Sequence, residues 1–245
     1  MSRKRIKRVI QEDNEEAAEI LKSIVQHNSD AFVIKQKFSL NPRHQTFYDL
    51  CMHDKTKMLL VDGPAGSNKT YLSVAAGLTL LKEKRVDQIV YIRSIVESAS
   101  KSIGALPGEV DEKFKPWSMP LIEKLNELIS AGAQAKLFEK GVIKCIPVNF
   151  VRGLTFHNSF VIIDEAQNLT KEELITILTR FGQHSHYVVI GDTFQRDIGF
   201  HSGFKHIWDR FNDEESENMG IHTARFTEEE IVRSPILRFI VKKLT

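Results

Sequence analysis

Cysteine is scarce in this sequence, long apolar runs are absent, and neither sign of charge dominates. Of 245 residues two are cysteines, and Cys51 and Cys145 stand alone, without the paired spacing of a zinc site or a disulfide framework. Reduced thiols and a cytoplasmic location are therefore expected. The longest apolar stretches, such as Phe160 to Ile163 and Tyr187 to Ile190, fall far short of the roughly 20 residues that cross a bilayer as a helix, which argues against an integral membrane protein. Ser2, Arg3, Lys4 and Arg5 lead into polar residues, so the basic start lacks the apolar run of a secretion signal. With 34 Lys plus Arg against 32 Asp plus Glu, the chain is neither disordered nor polybasic, and any nucleic-acid contact must come from local patches. Internal repeats and low-complexity segments are also missing.

What is present divides at about residue 40. Residues 1–40 begin with clustered Arg3, Lys4, Arg5, Lys7 and Arg8 and continue through acidic Glu12, Asp13, Glu15 and Glu16. Ala17, Leu21, Ile24 and Val25 then recur at helical spacing, which predicts an amphipathic helical extension that docks on the main body or on a neighbouring subunit. Asn41 followed by Pro42 reads as a helix start, an oxygen-bearing cap before a residue with no amide hydrogen. Across residues 41–245, short apolar runs at Met58 to Val61, Gln88 to Ile92, Ile143 to Val148, Phe160 to Ile163, Tyr187 to Ile190 and His222 to Phe226 alternate with stretches of helical period. Such a pattern predicts an α/β fold with a mostly parallel sheet covered by helices on both faces. Ligands of such sheets bind beyond the carboxyl ends of the strands.

The loop after the first run is Gly63, Pro64, Ala65, Gly66, Ser67, Asn68, Lys69, Thr70. It matches the phosphate-binding loop G-x-x-x-x-G-K-[ST] except that Asn68 stands at the second glycine position. The chemistry requires backbone amides converging on an anion at a helix N-terminus, a lysine for the outer phosphates and a hydroxyl for Mg²⁺. Asn68 is a tolerable substitute, since asparagine accepts left-handed backbone angles. The plainer alternative is a glycine-rich turn followed by a chance Lys-Thr.

Phe160 to Ile163 leads into Asp164 and Glu165, both placed at the carboxyl edge. Asp164 suits Mg²⁺ and Glu165 suits orienting or deprotonating an attacking water. Acids are also favoured at a helix start by the dipole, which is the bland alternative. After Tyr187 to Ile190 come Gly191, Asp192, Thr193, Phe194 and Gln195, and Gln195 could face the γ-phosphate or the water, unless Gly-Asp is ordinary turn chemistry. Gln45, before the phosphate loop, could read the N6 and N7 edge of adenine and so favour ATP. A surface glutamine on a helix fits equally well.

These residues resemble the PhoH-like ATPases, themselves similar to the first motor domain of superfamily 1 helicases, with a RecA-like P-loop sheet. The resemblance runs from about Pro42 to the end through GPAGSNKT, IRS at Ile92 to Ser94, GALPGEVDEKFKPW from Gly104 to Trp117, VRGLTF from Val151, VIIDEAQNLT from Val161, LTRFG from Leu178, VVIGDTFQRDI from Val188 and FTEEEIVRSP from Phe226. It implies a Mg²⁺-dependent ATPase acting on RNA or single-stranded DNA, from a family also common in bacteriophages. A homo-oligomer, by resemblance a hexameric ring, is implied too. The arginine that stabilises the transition state would come from a neighbouring subunit or from the last segment, with Arg233 the leading candidate and Arg180 and Arg196 as rivals. Arg233 could instead cap the acids Glu228 to Glu230.

For nucleic acid the informative stretch is Ser98 to Trp117, read as a loop carrying Lys101, Lys113, Phe114, Lys115 and Trp117. Cations among aromatics suit a single strand, its phosphates on lysine and its bases on rings. A packing loop with solvated lysines fits as well. The histidines lack metal-ligand spacing. Two functions remain open, an ATP-driven nucleic-acid remodeller and a nucleotide-responsive binding module with little or no turnover. A small-molecule phosphotransferase is disfavoured, because Glu165 would promote attack by water.

Overall fold

The computed structural model describes residues 32–35, 40–94, 110–195 and 198–244, with 110–117 described by backbone alone. The predicted amphipathic helix of residues 17–25 lies outside them. Of the described residues before α1, Phe32 is buried and Lys35 N donates to Leu128 O at 2.7 Å.

The elements follow in the order α1 (Pro42–Met52), β1 (Met58–Asp62), α2 (Lys69–Lys82), β2 (Gln88–Arg93), α3 (Val110–Leu128), α4 (Ala131–Glu139), β3 (Ile143–Pro147), β4 (Ser159–Asp164), α5 (Lys171–Leu178), β5 (His186–Gly191), α6 (Phe204–Phe211), α7 (Glu214–Asn218), β6 (Ile221–Arg225) and α8 (Pro235–Leu244). Every predicted run holds a strand, with Val148 and Phe226 falling just past the ends of β3 and β6. All pair in parallel in one six-stranded sheet of order β3-β2-β4-β5-β1-β6. Continuous apolar runs are what such a sheet demands, since alternate side chains enter opposite cores. Leu59, Val61, Tyr91, Phe160, Ile162 and Val188 pack under α1, α2, α3 and α4, whereas Leu60, Val90, Ile92, Val161, Ile163 and Val189 pack under α5 and α6.

Helix α2 runs through the first core and is buried over most of its length. A Cβ at Gly77 would stand 2.8 Å from Phe160 Cδ1, so glycine lets this helix approach the central strand. Helix α1 begins as its sequence predicts, with Asn41 Oδ1 accepting from His44 N at 2.8 Å and Pro42 in the first turn.

One expectation fails here. The stretch read as a loop from Ser98 to Trp117 is helical from Val110 onward. The cause lies downstream, where Leu121, Leu125 and Leu128 at helical spacing are fully buried and carry the helix against the core despite Pro116 and Pro120.

Candidate nucleotide site

The order of strands sets β4, β5 and β1 side by side, and their carboxyl ends open on a cleft of about 540 Å³. The phosphate loop forms one wall. Gly63 passes so close to the exit of β6 that a Cβ there would meet Phe226 Cβ at 2.7 Å. Gly66 takes φ +80°, and Asn68 takes φ 60°, ψ 17°, the left-handed conformation that asparagine tolerates, with its side chain exposed. Asn68 therefore adopts the conformation the motif asks of glycine. Ser67 Oγ donates to Pro64 O at 2.7 Å, and His44 of α1 reaches Ser67 O with Nε2 at 3.1 Å. A carbonyl only accepts, so that nitrogen carries the hydrogen. Burial holds the His44 imidazole below its ordinary pKa.

Lys69 is buried, and its ammonium donates to Gly63 O at 2.6 Å, Pro64 O at 2.8 Å and Ser67 Oγ at 3.2 Å. All three of its donors are thus spent on the loop. Burial lowers its pKa, opposed by the nearby carboxylates of Asp192, Asp164, Glu165 and Asp62.

The opposite wall is the end of β4. Asp164 accepts from Thr70 Oγ1 at 3.1 Å and from Tyr91 OH at 2.6 Å, and its Oδ1 takes Glu165 N at 3.0 Å. Tyr91 is buried, and burial first and then the Asp164 charge raise its pKa, so it stays a donor. Glu165 sits at φ +55°, a conformation that costs a non-glycine residue about 1–3 kcal/mol. Gln167 Nε2 donates to its Oε2 at 2.6 Å, and Arg93 lies 3.8 Å from Oε1. Desolvation, then the Asp164 charge, raise the Glu165 pKa.

Between the walls runs the exit of β5. Asp192 N donates to Gln167 Oε1 at 3.0 Å, Asp192 Oδ1 accepts from Phe194 N at 3.0 Å, and Gln195 N closes the turn on Asp192 O at 3.1 Å. Burial raises the Asp192 pKa.

The cleft brings together Ala65, Gly66, Ser67, Asn68, Lys69, Thr70, Asp164, Glu165, Gln195 and Arg233. Gly63 and Pro64 lie buried behind it. Arg233 arrives from its own chain: Val232 N donates to Gly66 O at 3.2 Å, which lays the segment before α8 on the phosphate loop. Of the acids Glu228 to Glu230, Glu230 pairs with Arg43 at 3.2 Å. Gln45 is not brought to the cleft. It is exposed and donates to Asp49 Oδ1 at 2.7 Å, one turn along α1, because its neighbour His44 takes the inward face of the helix. Arg180 lies outside the cleft lining, at the end of α5. Lys101 and Arg196 lie outside the described residues, as do the side chains of Lys113, Phe114, Lys115 and Trp117 on α3. Sequence reasoning gave no role to Tyr91, Gln167 or His44. For Gln167 the only sequence signal was its place in the Asp-Glu-Ala-Gln run.

Residues 39–245 match the family model described as PhoH-like protein. A PhoH-like protein of Mycobacterium tuberculosis is 38% identical over 181 residues, covering 73% of this chain and 50% of that protein. One of Bacillus subtilis is 34% identical over 182 residues, covering 74% and 56%. Protein PhoH of Escherichia coli is 35% identical over 187 residues, covering 75% and 51%. The chain thus spans about half the length of the curated relatives it matches. Among solved structures, the Sulfolobus solfataricus SWI2/SNF2 ATPase core in complex with dsDNA aligns with TM-score 0.45 and 17% identity, over 83% of this chain and 47% of that one. No described helix is long and apolar enough to cross a membrane. With the family model covering all but the first residues, the chain belongs to the PhoH-like protein family.

Proposed function

We propose that this chain hydrolyses ATP with Mg²⁺ in the cleft between β1 and β4, and that hydrolysis is coupled to RNA or single-stranded DNA. The observation that carries the reading is the meeting of Thr70 Oγ1 with the Asp164 carboxylate at 3.1 Å, inside a cleft that also holds Lys69, Glu165, Gln195 and Arg233. The Thr70 hydroxyl and Asp164 carboxylate are hard oxygen donors, and Mg²⁺ is held by one or two such groups together with phosphate oxygens rather than by an all-protein cage. Among the described residues no group of three or more His, Cys, Asp and Glu forms such a cage. When bound, the ion would neutralise charge on the phosphates.

Lys69 exchanges its bonds to Gly63 O and Pro64 O for phosphate oxygens as the loop amides take up the anion. Glu165 accepts the proton of the attacking water. Its raised pKa makes it the stronger base, and Gln167 fixes which oxygen faces the cleft. Gln195 orients the water or the γ-phosphate, and Arg233 stabilises the charge that develops on the transferred group. Because Arg233 belongs to the same chain, this chemistry requires no neighbour's arginine, and the hexameric ring rests on family resemblance alone. Nucleic-acid coupling rests on the sequence of Lys101, Lys113, Phe114, Lys115 and Trp117.

Phosphate release from Mg²⁺-ATP, measured for the wild type, Lys69→Ala and Glu165→Gln, tests the site. Both variants are expected to be inactive, and unchanged activity in both would refute the assignment. ATP binding without turnover, with or without RNA, would instead establish the nucleotide-responsive module. Filter binding of labelled RNA and DNA at two salt concentrations tests the coupling, with the Lys113→Ala, Lys115→Ala double variant expected to flatten the salt dependence.

A further inference from the structure

Asp62 ends β1 and directly precedes Gly63, where the phosphate loop begins. Its carboxylate is buried, yet the chemistry above gives it no task. Oδ1 accepts from Thr193 N at 2.9 Å, Oδ2 accepts from Thr193 Oγ1 at 3.0 Å, and Oδ2 lies 3.4 Å from the Arg225 guanidinium. The registers set Asp62 level with Gly191 of β5 and with Arg225 of β6. One side chain therefore spans three neighbouring strand tips.

Main-chain bonds converge on the same place, with Phe226 N donating to Asp62 O at 2.8 Å and Gly63 N to Gly191 O at 3.2 Å. Arg225 is steadied from its other side by the Trp208 ring, 5.3 Å from the centroid. A buried carboxylate is costly, and a well-packed apolar residue commonly serves stability as well. What an apolar residue could not do is hold Thr193 by both its amide and its hydroxyl. Thr193 lies two residues before Gln195, and the turn between them is closed by Gln195 N on Asp192 O at 3.1 Å. The path that delivers Gln195 to the cleft is thus set from the tip of β1.

We propose that Asp62 is a positioning residue: backed by Arg225, it fixes Thr193 and so holds Gln195 in register with the phosphate loop. The start of the phosphate loop and the turn that carries Gln195 are thereby tied to one strand tip. This rests on the role of Gln195 given above.

Steady-state ATP hydrolysis with separate kcat and KM tests it for Asp62→Asn, Thr193→Val, Thr193→Ser and Gln195→Ala, with the first two also placed in the Gln195→Ala background. Asp62→Asn and Thr193→Val are expected to lower kcat roughly 10–100-fold, as a misplaced group does, with KM for ATP within about twofold. Thr193→Ser, which keeps the hydroxyl, is expected to restore kcat, and neither loss should recur once Gln195 is alanine. Losses that multiply in the double variants, or a rise in KM at unchanged kcat, overturn the proposal while leaving the role of Gln195 intact. A Gln195→Ala enzyme as fast as the wild type overturns that role and this proposal together. If Asp62→Asn does not fold, the Thr193 pair carries the same test.

Discussion

The two walls of the cleft are built on opposite plans. At the end of β4 the groups proposed to react are held by neighbours: Asp164 is ringed by the Thr70 hydroxyl, the Tyr91 hydroxyl and the Glu165 amide, and Glu165 is bonded by Gln167. On the phosphate-loop side the key cation is committed to its own backbone, with Lys69 on Gly63 O, Pro64 O and Ser67 Oγ. The difference follows from what each wall is made of. Side chains from a buried strand are fixed by groups on neighbouring strands, whereas a buried ammonium at the end of a loop must be satisfied by the carbonyls of that loop. The proposed function therefore asks little movement of the carboxylate wall and an exchange of the Lys69 bonds on the loop wall.

The largest expected effects separate the walls. Glu165→Gln keeps the size of the side chain and removes the base, so phosphate release should fall about 10²–10⁴-fold while binding of a fluorescent ATP analogue persists. Lys69→Ala should abolish both. Equal loss of binding in the two variants would erase the distinction between a wall that reacts and a wall that grips.

Tyr91→Phe weakens the preorganised wall without touching the cleft. Its hydroxyl is a partner of Asp164 from behind, at 2.6 Å, and loss of such outer partners typically costs about 10–100-fold in metal affinity. The Mg²⁺ concentration giving half-maximal turnover should rise accordingly, with kcat at saturating Mg²⁺ nearly restored. A fall in kcat that excess Mg²⁺ does not relieve would mean that Tyr91 acts on something other than the metal ligand.

How much of this was legible in the sequence depended on whether the signal was local. The six strands could be read because a strand buried on both faces must be continuously apolar. That the loop from Gly63 and the pair Asp164–Glu165 would meet at one sheet edge could be read because each is a consecutive run after a strand. Tyr91 could not, because Asp164 lies on the adjacent strand and only the order β2-β4 brings them together, and of the two partners of Gln167 the distant one, Asp192, depends likewise on β5 lying beside β4. His44 and Gln45 show the same limit within one helix. Successive positions are about 100° apart, and nothing short of packing on α2 decides which one faces the phosphate loop. The helical start of α3 was hidden for the complementary reason, since its stabilising leucines lie beyond the stretch that was read for charge and aromatics.

Asn68 tests the loop wall more gently. At φ 60° it occupies the glycine position of the motif, exposed at the rim of the cleft, so Asn68→Gly should leave kcat within about twofold, glycine being at ease there. Asn68→Val, β-branched and strained in that conformation, should cost about 1–2 kcal/mol, read as a lower melting temperature and weaker ATP binding. A marked acceleration in Asn68→Gly would mean that asparagine restrains turnover, the behaviour expected of the nucleotide-responsive module.

The smallest effect concerns the prop behind the loop wall. His44 donates from Nε2 to Ser67 O, packs edge-on against Phe226 at 5.1 Å, and has its pKa lowered by burial in spite of the Ser67 bond and the Glu230 carboxylate, which pull it up. In the unfolded chain the imidazole takes a proton near pH 6.5, whereas the folded protein resists that proton until a lower pH. In that window the unfolded state binds more protons, so stability is fully present above about pH 6.5 and declines as pH falls through the folded value. His44→Phe keeps the ring against Phe226 and removes both the bond and the titration. It should lower the melting temperature at pH 8 by about 2–4 °C, the equivalent of roughly 1 kcal/mol in a domain of this size. The gap between variant and wild type should then narrow as pH falls from 6.5, because His186, the other histidine among the described residues whose pKa burial lowers, is common to both proteins. Melting curves that stay parallel across that range would show that His44 does not titrate on unfolding, and the prop would then be one of shape alone.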